Sequence, residues 1–386
     1  MTTLRIAQVA PPAERVPPVA YGGTERVVYE LVRELDRRGH EVTTFASGDS
    51  EVPGRLVATS PRALRTSPVQ EDMFPWLMVT AREVLDRARR GEFDVIHMHL
   101  ESLAALLAEA SPVPVIATHH GRVDHPAAGR GLRGSRAHHV AISAHQASTQ
   151  PEVNWAAVVH NGLDLAAAPF ERRRRDDALV FVGRVSPEKG VLDAIEIARR
   201  VGRPLRIIAK VGPEPHEQEY YRSVFKPALD AAGSDVEFIG ELDSASRDQV
   251  VAVCHATLMA GAWPEPFGLV AIESLACGTP VIARRVGALP EIVREGIDGF
   301  FGDDVAHLAS LVERVASLDR GQIRRDVIQR FSAKRMADGY ETLMRSVIGG
   351  SAMTEPEQDV VPGTPEPLRP RVAHRAPAAQ KDAVAI

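Results

Sequence analysis

The run Glu265-Pro266-Phe267-Gly268-Leu269-Val270-Ala271-Ile272-Glu273 places two carboxylates eight residues apart around the start of a helix. An apolar stretch and a turn-like segment, 260–264, precede it, and helical spacing begins at about Gly268. Glu265 then sits in the loop ahead of the helix, where its carboxylate can accept hydrogen bonds from the hydroxyls of a polyol. Gly268 and Leu269 offer first-turn amides, which lack a carbonyl partner inside the helix and lie at the positive end of its dipole. That is a natural seat for a phosphate. Glu273, a little over one turn inside, can face the same cleft and hold a ribose diol with both oxygens. A helix start flanked by acids, with Glu273 solvated, would show the same spacing.

Three further runs carry reactive or binding side chains. Gly183-Arg184-Val185-Ser186-Pro187-Glu188-Lys189-Gly190 directly follows an apolar run. Arg184 and Lys189 come from one short loop at a strand's carboxyl end. Two cations there suit a diphosphate, because ionised acceptors make the strongest hydrogen bonds. The G-x4-G-K spacing of a Walker loop is missing, which argues against a P-loop ATPase. In Tyr21-Gly22-Gly23-Thr24-Glu25, two glycines between a strand and a helix let the backbone approach an anion closely. Thr118-His119-His120-Gly121 ends another predicted strand, where a histidine can donate to a sugar hydroxyl or an acceptor. The histidine pair could instead ligate a metal, but no third ligand stands at a convincing spacing. His97 and His99, two apart on a strand, share a face and read as core or cleft-wall packing.

These runs need a scaffold that brings strand ends together, and the apolar pattern supplies one. Short apolar runs at 4–10, 41–46, 94–98, 113–118, 139–143 and 157–160 alternate with amphipathic stretches such as 24–38 and 102–110. After Pro169 and the charge run 171–177, taken as a solvated loop, a second series begins. It predicts strands at 179–182, 205–209, 236–239, 257–259 and 280–283, with helices at 191–200, 217–231, 244–254, 269–277 and about 289–294. From Asp304 to about Val347 the pattern reads as helical throughout. Such alternation implies an α/β fold with two mostly parallel sheets covered by helices on both faces. We assign 1–165 to a first domain, 166–330 to a second, 331–350 to a helix returning toward the first, and 351–386 to a disordered tail. That tail has six prolines in 36 residues and no Phe, Trp or Tyr, too little apolar area to offset its ordering entropy. Ligands of such sheets bind at the carboxyl ends of the strands, here in the cleft between domains.

A length of 386 residues fits two domains of about 150–200 residues each. A formal charge of −5 gives no sign of a nucleic-acid partner. Cys254 and Cys277 cannot build a disulfide framework and lack zinc spacing, which favours a reducing, cytoplasmic setting. The first residues contain no signal-peptide core, and no run reaches the roughly 18–20 apolar residues of a membrane span. The basic segment Gly129-Arg130-Gly131-Leu132-Arg133-Gly134-Ser135-Arg136 reads as a solvated loop, with a weak contact to anionic lipid at the inner membrane surface as its other role.

Together these residues resemble glycosyltransferase family 4, over roughly residues 4–347. The resemblance is carried by Gly22-Gly23-Thr24-Glu25-Arg26, Arg38-Gly39-His40-Glu41-Val42, His120-Gly121, Asn161-Gly162-Leu163-Asp164, Gly183-Arg184 with Lys189-Gly190, the Glu265/Glu273 run, and the block from Glu273 to Ala283. It implies two facing Rossmann-like domains, the GT-B architecture, and retaining transfer from a nucleotide-diphosphate sugar. It also implies roles. Arg184 and Lys189 would bind and stabilise the leaving diphosphate, with Gly183 in the same loop. Glu265 would hold sugar hydroxyls, Glu273 the ribose, and the Gly268 and Leu269 amides the phosphate and sugar. Gly22 and Gly23 would cap the diphosphate, His120 rather than His119 would lie near the reacting sugar, and Asn161 and Gly162 near the interdomain crossing. Two departures stand out. Ala260-Gly261 replaces the usual Pro-Ser, and Pro266 removes one amide from the Glu-Gly-Phe-Gly form of the motif.

The expected partners are a nucleotide-sugar donor, with uridine preferred, and a small-molecule, glycan or lipid acceptor. No cofactor and no protein-bound metal are expected, since Arg184 and Lys189 can supply the positive charge. A sugar-nucleotide epimerase, a phosphorylase and a non-enzymatic nucleotide-sugar-binding protein are the alternatives on the same fold.

Overall fold

A computed structural model describes residues 2–20, 22–67, 72–172 and 176–350. The tail reading for 351–386 and part of the charge run, 173–175, lie outside the described residues. The first sheet comprises β1 (Arg5–Val9), β2 (Glu41–Ser47), β3 (Arg55–Ser60), β4 (Val95–Met98), β5 (Val115–His119), β6 (His138–Ala141) and β7 (Trp155–Val158). The second comprises β8 (Leu179–Arg184), β9 (Leu205–Lys210), β10 (Val236–Gly240), β11 (Ala256–Met259), β12 (Val281–Arg284) and β13 (Gly299–Gly302). Their orders are 3-2-1-4-5-6-7 and 10-9-8-11-12-13. Every paired strand is parallel, with Ile6 opposite both Val42 and Val95, and Phe181 opposite Ile207. Central strands are buried on both faces, which is why they read as continuous Val/Ile runs rather than alternating ones.

Strand order reverses beside β1 in one sheet and beside β8 in the other. Ligands of open parallel sheets bind at such switch points, outside the carboxyl ends of the strands. The Gly22–Gly23 loop follows β1, and the Arg184–Lys189 loop follows β8, so the two candidate phosphate loops occupy equivalent places.

One apolar cluster ties the halves together. It runs from Val28, Leu31 and Leu35 on helix Gly23–Arg37, through Leu163 and Leu165, to Phe267, Ile272, Tyr340 and Met344. The chain crosses from one sheet to the other at Leu163, whose amide donates to Phe331 O at 3.1 Å and whose carbonyl accepts from Ala333 N at 3.0 Å. Helix Ala333–Ile348 then lies against helix Gly23–Arg37, where Arg38 Nη1 reaches Glu341 Oε2 at 3.0 Å.

Several elements differ from the pattern reading. Residues 305–348 are not one helical stretch. They form helices Val305–Leu311, Arg320–Arg330 and Ala333–Ile348 with a tight turn at Arg314–Ser317. Asp319 and Ser332 cap new helices through their side chains, which fixes the breaks. The helix expected at 217–231 spans Pro215 to Ala232 with one widened turn at Tyr221–Phe225. The basic segment is only partly loop, because helix Pro126–Leu132 includes its first four residues. Strands β3 and β13 and helices Met73–Arg89, Pro126–Leu132 and Ala144–Ser148 were not expected. Among the described residues no helix is long and apolar enough to cross a membrane.

Candidate active site

A cleft of about 860 Å³ opens between the carboxyl ends of the two sheets. Gly22, Gly23, His120, Gly183, Arg184, Lys189, Glu265, Gly268, Leu269 and Glu273 all line it, so every residue singled out for the site is brought to one place.

The second domain contributes the cations. Arg184 ends β8, with Nη1 3.1 Å from Glu217 Oε1 and Nη2 3.1 Å from Glu188 Oε1, while its buried Nε has no partner. Lys189 sits in the single turn Pro187–Lys189 and pairs with Glu265. Gly190 closes this turn at φ +73°, and a Cβ there would lie 2.6 Å from Gly261 Cα. A Cβ on Gly261 would in turn lie 2.7 Å from Lys189 C. The two backbones therefore touch, and Gly261 in place of Ser has a local reason. Gly268, at φ +108°, opens helix Leu269–Ala276, a backbone conformation that disfavours any Cβ.

Glu273 is more constrained than the sequence implied. Arg26 from the first domain pairs with its Oε1, and Arg247 Nη2 lies 3.1 Å from the same oxygen. Burial would raise this carboxyl, but Arg247 and Arg26 outweigh it and hold it below the usual carboxylate range. The closest contact of each cation falls on Oε1, so Glu273 is held from both domains.

The first domain supplies a wall rich in hydrogen-bond acceptors. His99 Nε2 lies 2.9 Å from Gln8 Oε1, and His99 Nδ1 lies 2.8 Å from His120 Nε2. Gln8 Oε1 can only accept, so His99 carries its proton on Nε2. Burial holds His99 well below its ordinary pKa, so the ring is neutral and its Nδ1 accepts. His120 must then donate from Nε2. Burial lowers His120 to about 4, so it too is neutral and keeps a bare Nδ1. His119 turns away from this chain, onto His139 at 3.1 Å and onto Trp155. His97 is core: its Nε2 meets Thr118 Oγ1 at 2.8 Å, which meets Tyr340 Oη at 2.9 Å.

Sequence reasoning gave no site role to Glu25, Arg26, Glu101, Arg247, Gln8 or His99. Glu25 had one signal, its place in the first turn after Gly22–Gly23. It is 5% exposed, and burial raises it to about 7. Glu101 accepts from Gly121 N at 2.6 Å and thereby shapes the loop after His120. Asn161, 3% exposed, lines the cleft with an Oδ1 that has no partner. Among the described residues, no cluster of three or more His, Cys, Asp or Glu is arranged to hold a metal.

The sequence and the fold match those of known proteins. Residues 21–167 match the model described as Glycosyltransferase Family 4, and residues 167–335 match Glycosyl transferases group 1. Glycogen synthase of Mycobacterium tuberculosis is 27% identical over 418 residues, spanning 94% of this chain and 97% of the relative. D-inositol 3-phosphate glycosyltransferase of Mycolicibacterium smegmatis is 30% identical over 353 residues, spanning 78% and 79%. The crystal structure of AviGT4, a glycosyltransferase involved in avilamycin A biosynthesis, aligns with a TM-score of 0.66 at 25% identity, over 90% of this chain and 99% of that one. Fold and site together define a glycosyltransferase of the GT-B type. The chain belongs to glycosyltransferase family 4. The epimerase and non-enzymatic alternatives are thereby set aside.

Proposed function

We propose that this enzyme moves a sugar from a nucleotide-diphosphate donor, UDP-linked by preference, to an acceptor hydroxyl with retention of configuration and without a protein-bound metal. The observation that carries this reading is that Arg184, Lys189, Glu265, Gly268 and Leu269 line one cleft, with Lys189 paired to Glu265. The diphosphate would lie against both cations and the Gly268 and Leu269 amides, the ribose against Glu273, and the sugar hydroxyls against Glu265. Gly22 and Gly23 would cap the diphosphate from the first domain.

The bond from the anomeric carbon to the diphosphate oxygen breaks as the bond to the acceptor oxygen forms on the same face. The acceptor proton passes to the departing phosphate oxygen. Charge grows on the diphosphate in the transition state, where fixed cations and amide dipoles stabilise it most. Closing the cleft would exclude water and limit hydrolysis of the donor.

Calorimetry against UDP, GDP, ADP and their sugar conjugates, first without metal and then with magnesium, tests the donor. Saturable binding of one nucleotide, lost in Lys189→Ala and Glu273→Ala, supports the reading, and NMR of the product's anomeric proton reports retention. Binding by none of them would remove it.

A further inference from the structure

We infer that the acceptor is an uncharged polyhydroxy compound, a sugar or glycoside without a phosphate, and that Glu25 receives one of its hydroxyls. The inference rests on the proposed transfer reaction and refines it on the acceptor side.

The first domain lines the cleft with both signs of charge. Its cations there are Arg26 and Arg65, and both are matched: Arg26 with Glu273, and Arg65 Nη1 with Glu14 Oε1 at 3.3 Å. Its carboxylates there are Glu25 and Glu101. Among the described residues no Lys or Arg pairs with Glu25, and Arg65 acts on it only at longer range, against Glu14, which opposes ionisation. A first-turn acid that served only the helix dipole would stand in solvent and gain from it. Glu25 instead is 95% withdrawn from solvent beside the cleft, and a Cβ on Gly22 would lie 3.2 Å from its Oε2. Its carboxyl has its own backbone amide as a partner, which leaves acceptor capacity for a ligand.

Two other residues lining the cleft share this character. His120 offers a bare Nδ1 by the tautomer argument, and Asn161 has an unpartnered Oδ1. A wall of acceptors recognises groups that donate, and hydroxyls donate. The phosphate of an ester donates no hydrogen bond and carries about two negative charges at pH 7, which Glu25 and Glu101 oppose wherever they are ionised. This separates the chain from the Mycolicibacterium smegmatis relative, whose name specifies an inositol phosphate.

The test uses the full-length enzyme, the donor named by nucleotide titration, and matched acceptor pairs: myo-inositol and inositol 3-phosphate, glucose and glucose 6-phosphate, with maltotriose and octyl glucoside added. We expect kcat/KM for each unphosphorylated member to exceed that for its phosphorylated twin by about tenfold or more, the scale of one charge-assisted contact. In Glu25→Gln, acceptor KM should rise by about tenfold and the selectivity ratio should fall, while UDP affinity stays within about twofold. A purely structural role for Glu25 would not move that ratio. Preference for the phosphorylated twin overturns the inference, as does an unchanged ratio in the variant, or transfer to none of these acceptors while UDP still binds. Failure to bind any nucleotide is a different result: it removes the transfer reaction and this inference with it.

Discussion

Arg26 and Glu273, 247 residues apart in the chain, form an ion pair across the cleft, joining the first helix of one domain to the helix that would hold the donor ribose of the other. The carboxylate is 7% exposed and the guanidinium 21%, so water screens the pair only weakly. Arg247 shares Oε1 from a third helix, Ser244–Val253, and Asp248 lies beside it at 2.7 Å. The network holds the Glu273 carboxylate in place from both domains. Arg26→Ala should therefore weaken UDP binding by about 3–10-fold without abolishing it, because Arg247 still holds the carboxylate ionised. Calorimetry measures this directly, and unchanged affinity would show that Arg26 does not orient Glu273.

Lys189 and Glu265 form an ion pair in the cleft. Both side chains are about one-fifth exposed, so the pair contributes little to stability, at most about 1 kcal/mol. Catalysis should be hit much harder. Lys189→Ala or Arg184→Ala should lower kcat by about 10²–10³, the cost of removing one donor aimed at developing charge. Thermal denaturation run beside the kinetics separates the two effects. A large drop in melting temperature with proportionate loss of rate would mean that these residues act through folding.

Gly190 shows how backbone geometry places Lys189. Its φ of +73° is strained for any residue with a Cβ, and the facing Gly261 leaves no room for one. Gly190→Ala should destabilise the protein by about 1–3 kcal/mol and lower activity beyond that loss, because the turn carrying Lys189 must shift. Urea titration with initial-rate measurements tests this, and a variant with wild-type stability would refute the packing described.

The parts of the site legible in sequence were those coded locally. Arg184 and Lys189 share one loop, and Glu265 and Glu273 share one loop and helix, so spacing alone brought each pair together. Arg26–Glu273 and Gln8–His99–His120 were illegible, because their members meet only after two sheets have formed. Edge strands were missed for a different reason. β13 is Gly-Phe-Phe-Gly, and β3 alternates too little to stand out from a loop. Helix Met73–Arg89 buries Ala81, Val84 and Ala88 yet exposes Phe74, Met78 and Val79, so it shows no clean apolar stripe.

His120 gives a prediction that concerns protons rather than rates. Burial lowers its pKa to about 4, and the chain from Gln8 through His99 places its proton on Nε2. Nitrogen-15 NMR of the imidazole rings should show His120 neutral and Nε2-protonated throughout pH 6–8. Activity in that window should carry no acid limb from His120. A ring that titrates near 6.5, or carries its proton on Nδ1, would break the hydrogen-bond chain described.

Glu25 links the acceptor wall to stability. Burial raises its carboxyl from 4.5 to about 7, with Glu14 adding to the rise and Arg65 and its own amide opposing it. Below pH 4.5 the group is neutral in the folded and unfolded chains alike, so it costs nothing. Between pH 4.5 and 7 the unfolded chain releases the proton first, and stability falls as pH rises. Above pH 7 the full cost is present, at most about 3 kcal/mol for a shift of this size. Glu25→Gln should therefore match the wild type in urea denaturation near pH 4.5 and exceed it in stability at pH 8. A difference that does not change with pH would place the Glu25 carboxyl in water, and the acceptor wall would lose its central member.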